Sequence, residues 1–133
     1  MIPRFRIVPG VDATRAAEHV LALAEEDTCI LGLDRGPFGR TLVFCPSPRV
    51  ARAEETRFDR AGRIGAGLCA LTLVPEGPIV VEGGGSNDSS ERLASFVARI
   101  LRDLAPCRVF DEETGNDLTM AVAHSPRLLF ASP

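Results

Sequence analysis

The chain has 133 residues, 45% hydrophobic and 25% charged, with net charge −3. That supports one domain with a real core, is too apolar for disorder, and contains no apolar run of the roughly 18–20 residues a membrane span needs. With no Lys, Tyr, Trp or Gln, all 15 basic side chains are Arg, which excludes Schiff-base catalysis, a P-loop Lys and a Tyr general acid.

Arg4 to Val8 alternates charged and apolar residues, the pattern of a half-buried strand with Phe5 and Ile7 inward. Pro9-Gly10 is a turn. Asp12 is the predicted cap of a helix running to about Glu26, with a buried stripe of Ala13, Ala16, Ala17, Val20, Leu23 and Ala24. Three acids, Glu25 to Asp27, close that helix against its dipole. Thr28–Leu33 and Arg40–Cys45 read as strands joined by hairpin chemistry over Asp34 to Gly39.

Residues 46–63 form a polar, Arg-rich segment, the candidate loop or short helix. Ile64 to Val74 reads as a strand, with Gly65 and Gly67 suggesting a bulge or close approach. Pro75 to Pro78 is a turn and Ile79 to Val81 a short strand. Leu93, Phe96, Val97, Ile100, Leu101 and Leu104 then recur with the helical period, a complete apolar face. Asp88 and Glu91 resemble a capping box at its start, and Pro106 ends it. Cys107–Phe110 is a strand, Glu112–Asn116 a turn, and Leu118–Val122 a candidate hairpin partner. The tail, 124–133, carries the apolar Leu128, Leu129 and Phe130.

This order predicts an α+β two-layer sandwich: a mostly antiparallel sheet with two helices on one face, in ferredoxin-like order with extra strands. The whole of 1–133 reads as a single domain. The four cysteines, Cys29, Cys45, Cys69 and Cys107, sit in or beside apolar runs without C-x-x-C spacing. They read as buried thiols rather than metal ligands. The N-terminal MIPRFRIVPG has no signal-peptide h-region, so the expected location is cytoplasmic.

Two constellations stand out. Glu82, Gly83, Gly84, Gly85, Ser86, Asn87 and Asp88 form a strand-to-helix turn whose N–H groups could bind a small molecule or anion. This is not G-x-G-x-x-G, and its flanking acids would repel phosphate. The second is acidic: Asp111, Glu112, Glu113 and Asp117. A crossover between parallel strands would bring it to the same sheet end as Glu82 and Asp88, a surface suited to a basic partner. His19 reads as a packing histidine. Neither a catalytic constellation nor a cofactor or metal motif emerges, and the acidic balance argues against nucleic-acid binding.

The expectation is a non-catalytic protein-binding domain of the inhibitor, immunity-protein or small-chaperone kind. The alternative is a small enzyme or ligand-binding protein using the Gly83–Asp88 turn. A homo-oligomer through the tail and a strand edge is a third option.

Overall fold

The computed structural model describes residues 4–34, 39–53, 68–75, 77–83 and 87–125. Six strands form one sheet: β1 (Arg4–Val8), β2 (Ile30–Asp34), β3 (Arg40–Phe44), β4 (Cys69–Leu73), β5 (Ile79–Glu82) and β6 (Arg108–Asp111). Their spatial order is β2-β3-β4-β5-β1-β6, and every adjacent pair is antiparallel. Two long helices, α1 (Ala13–Glu25) and α3 (Asn87–Asp103), bury their apolar stripes in one cluster with the sheet. Residues 48–53 are helical (α2), and α4 (Thr119–His124) closes the described chain. The two-layer α+β sandwich expected from the sequence is present.

Alternation builds the helix-side core. Phe5 and Ile7 of β1, Leu42 and Phe44 of β3, Leu71 of β4, Val81 of β5 and Val109 of β6 point to that side. They meet Val20 and Leu23 of α1, and Leu93, Val97 and Ile100 of α3. Phe44 and Phe96 pack edge to face at 5.2 Å between centroids, a favoured aromatic arrangement. Asp12 caps α1 as read, accepting from the Arg15 N–H at 3.0 Å. The triad of acids closing α1 is not simply solvated: Glu26 approaches Arg99 at 4.0 Å and Asp27 approaches Arg92 at 3.8 Å, both on α3. His19 of α1 reaches Asp103 of α3 at 3.0 Å, so polar contacts also link the helices.

The crossovers explain the strand order. β5 and β6 both run antiparallel to β1, so they are parallel to each other, joined through α3 with β1 between them. The β1-α1-β2 connection spans β5, β4 and β3. The added hairpin strands therefore sit between β5 and β2.

Two local predictions need correction. α3 begins at Asn87, so Asp88 lies in its first turn instead of capping it. Leu118–Val122 is not a hairpin strand: α4 occupies Thr119–His124, and pairing is limited to one bridge between Phe110 and Asp117. The reason is local. Asp117 accepts from the Thr119 N–H at 2.9 Å, turning the chain, and the Ala-containing TMAVAH segment favours a helix. The turn then seals the β6 edge: Val109 N–H donates to Thr119 Oγ1 at 3.0 Å and Leu118 N–H to the Val109 carbonyl at 2.7 Å. The strand read over Ile64–Val74 is described as Cys69–Leu73; Gly65, Gly67 and residues 54–67 lie outside the described residues, as do 126–133.

Candidate functional site

The sheet's second face, away from α1 and α3, divides in two. Over β2, β3 and β4 it is apolar and covered: Val43, Cys45, Ala51 and Leu68 are buried together, with Leu31 and Val50 against them. Ser47 sets α2 in place there, its Oγ accepting from Val50 N–H at 3.3 Å and its carbonyl from Ala51 N–H at 3.0 Å. Over β5, β1 and β6 the same face is polar and partly open.

Register gives that open half its layout. Arg4 lies opposite Glu82 on one side, and its carbonyl accepts from the Glu112 N–H on the other. Arg6 lies between Val80 and Phe110, and Val8 beside Arg108. Charges are matched along these rows. Arg4 approaches Glu82 at 3.7 Å, Arg6 approaches Glu112 at 3.1 Å, and Arg108 approaches Asp117 at 2.8 Å. The Arg6 Nε–H is not aimed at the carboxylate and makes no hydrogen bond, so that pair is a charge contact. Phe110 receives two cations, with Arg6 at 5.5 Å and Arg108 at 5.3 Å from its ring centroid. Val8 is 40% exposed beside them.

The acidic cluster of the sequence reading therefore divides by role. Asp111 Oδ1 accepts from the Glu113 N–H at 2.8 Å and the Thr114 N–H at 3.0 Å, which holds its carboxyl below the ordinary range. Asp117 is lowered to about 2, first by the Thr119 hydroxyl, then by Arg108 and the Thr119 N–H. Glu112 pairs with Arg6, and Glu113 is exposed. Asp111 and Asp117 build the turn; Glu112 and Glu113 face outward at its rim. Glu82 does share this sheet end, through Arg4.

The other candidates lie elsewhere. Gly83 is buried and Asp88 exposed, while Gly84, Gly85 and Ser86 of the proposed anion turn lie outside the described residues. Beside Asp88 a groove of about 510 Å³ runs along α3, lined by the charged Asp27, Glu91, Arg92 and Arg99 and by the apolar Pro46 and Phe96. A smaller cleft of about 310 Å³ lies between α3, β6 and α4, bordered by Leu101, Cys107, Val109 and Val122. Burial pushes the Cys107 thiol up. His19, its side chain 37% exposed, is engaged by Asp103 at 3.0 Å.

The Arg–Phe–Arg row was not singled out from sequence. Its signal was present in the strict alternation of Arg4 to Val8, whose outward residues needed a strand partner to become a surface. No protein family, characterised protein or solved structure matches the chain. No helix among the described residues is long and apolar enough to cross a membrane.

Proposed function

We infer that this chain is a non-catalytic protein-binding domain, of the inhibitor, immunity-protein or small-chaperone kind. Its partner is a protein with a basic surface, met by the sheet end that carries Asp111, Glu112, Glu113 and Asp117. One observation carries the reading: the open half of the second sheet face combines an apolar centre, Val8 and Phe110, with two guanidinium groups over the ring and carboxylates at the rim. Arg and aromatic residues dominate the central contacts of many interfaces, while rim charges govern steering and association rate.

The test separates steering from folding. Asp111 is kept, because its side chain holds the turn. Glu112→Arg together with Glu113→Arg should slow association with the partner captured by the wild-type chain by about tenfold at low salt, and flatten the salt dependence. A captured partner that binds the double variant at an unchanged rate rejects this surface.

The groove beside Asp88 favours a second reading, a small-molecule or anion-binding protein or small enzyme working next to the Gly83–Asp88 turn. Arg92 and Arg99, one face of α3, would meet an anionic group there. A thermal-shift screen of nucleotides, acyl-CoA and divalent ions that moves the melting midpoint would support it; no response counts against it.

A further inference from the structure

The cleft between α3, β6 and α4 is built from two matching helical triplets. Ala98, Leu101 and Arg102 lie at i, i+3 and i+4 on α3, and Thr119, Val122 and Ala123 repeat that spacing on α4. Each set shares one face of its helix. Both sets border the cleft, together with Cys107 and Val109. Val109 and Val122 are buried, while Ala98, Leu101 and Cys107 are half-buried, so apolar surface stays open to whatever enters. The space, about 310 Å³, is at the small end of the roughly 300–1,000 Å³ common among ligand pockets.

The polar groups on these walls are spent, with one exception. Thr119 Oγ1 accepts from the Val109 N–H at 3.0 Å, and its hydroxyl also bonds the Asp117 carboxylate. The Cys107 thiol donates to the Leu104 carbonyl at 3.2 Å. Arg102 differs. Its side chain is 75% exposed, and its Nε–H donates to Asp103 Oδ1 at 3.2 Å. Asp103 is itself shared, with His19 at 3.0 Å and Arg99 at 3.7 Å on its other oxygen. The four donors on the terminal nitrogens of Arg102 have no acceptor among the described residues. The cleft therefore presents apolar walls and one cation at its rim.

We propose that this cleft binds a small amphipathic carboxylate, an acid group on a short alkyl or aryl body. The body lies against Leu101, Val109 and Val122, and the carboxylate takes the open donors of Arg102. Two physical terms act together. Displacing water from the apolar walls is favourable, and a guanidinium fork matches a carboxylate in geometry and charge. A neutral apolar ligand would leave the Arg102 donors unused, and a small hydrophilic anion would leave the walls wet. Asp117, the carboxylate bonded to Thr119, is already paired with Arg108 at 2.8 Å, so the ligand's acid group meets no unpaired charge there. The cleft shares no described lining residue with the groove beside Asp88. It is a site separate from both readings given above.

NMR titration of the isotope-labelled full chain tests this with three probes: octanoate, octanol for the apolar body alone, and acetate for the acid alone. Octanoate should give saturable shifts centred on Ala98, Leu101, Val109 and Val122. Octanol should bind there about fivefold more weakly or worse, because it forms no charge-assisted bond with Arg102. Acetate should not saturate over the same range. Arg102→Ala should weaken octanoate by about fivefold or more and leave octanol unchanged; the exposed pair it removes contributes little to folding. Ala98→Leu, which fills the cleft from α3, should weaken both. Absence of saturable shifts at the cleft overturns the proposal. So does octanol binding as tightly as octanoate, or octanoate affinity unmoved by Arg102→Ala or by Ala98→Leu.

Discussion

The two halves of the second sheet face show how one sheet serves two purposes. On the β2–β3–β4 side, β3 is buried at four successive positions, Thr41 to Phe44, and Cys69 to Leu71 of β4 likewise. Those strands are enclosed on both faces, as continuous apolar runs should be. On the β5–β1–β6 side, β1 alternates: Phe5 and Ile7 are buried, and Arg4, Arg6 and Val8 are not. One half is a second core and the other a surface. The switch occurs between β4 and β5, which pair Thr72 with Val80. The polar atoms at that boundary are managed internally, Thr41 Oγ1 and Thr72 Oγ1 lying 3.2 Å apart.

The strongest way to break this comparison is to make one substitution on both halves. Val43→Asp buries a carboxylate at a fully enclosed position, and should cost about 4 kcal/mol or more, enough to unfold most chains. Val80→Asp, half-buried opposite Arg6, should cost about 1 kcal/mol or less. Urea melts of the two variants decide the matter; equal losses would mean that the halves are not distinct. Gly39→Ala tests the same buried half through the backbone. Its φ is +90°, and a Cβ there would overlap the Leu73 carbonyl, so a loss of about 2 kcal/mol or more is expected in the same melts.

A smaller effect sharpens the open half. Arg6→Ala removes the contact with Glu112 and one of the two cations on Phe110. Both partners keep substantial exposure, 43% and 29% for the Arg6 and Glu112 side chains, so the stability loss should stay near 1 kcal/mol or below. Partner affinity should fall by about tenfold, because a guanidinium on an aromatic ring is a typical central contact. Calorimetric melting and binding measured on the same sample check both numbers. A large stability loss with unchanged binding would assign this row to folding.

The two helical stripes were readable from sequence because Leu93 to Leu104 keeps the helical period without interruption; Leu93, Phe96, Val97, Ile100 and Leu104 are buried and Leu101 is partly buried, while in the first stripe Ala16, Val20, Leu23 and Ala24 are buried and Ala13 and Ala17 only partly. Asp12 was readable because a cap acts within its own turn. Leu118–Val122 was misread because apolar content in a short segment does not separate strand from helix; the deciding bonds, Asp117 to Thr119 and Thr119 to Val109, join side chains to backbone. The acidic cluster was located correctly at one sheet end, yet its pairing was hidden. Arg6 precedes Glu112 by more than a hundred residues, and the β1–β6 register that joins them is tertiary information. The Gly83–Asp88 turn shows the opposite limit: its motif is visible in sequence, but Gly84 to Ser86 lie outside the described residues.

The smallest effect concerns pH, and it tests whether the turn sealing β6 is rigid. Asp117 titrates near 2 in the folded chain, against about 3.9 for an unfolded Asp. A depressed carboxylate contributes stability in full above its unfolded value, and that contribution disappears as pH falls through the folded value. The window is therefore from about 4 down to about 2. Asp111 and Asp103 are lowered too, so their contributions act in the same direction. Asp117→Asn should remove part of the acid sensitivity in that window while leaving the melting midpoint at pH 7 slightly reduced, because Arg108 and the Thr119 N–H lose a charged acceptor. NMR titration of the Asp117 carboxyl carbon gives the direct reading. A midpoint near 4 would mean that the Thr119 and Arg108 contacts do not persist in solution, and the β6 edge would then be as open to a partner as the sheet face beside it.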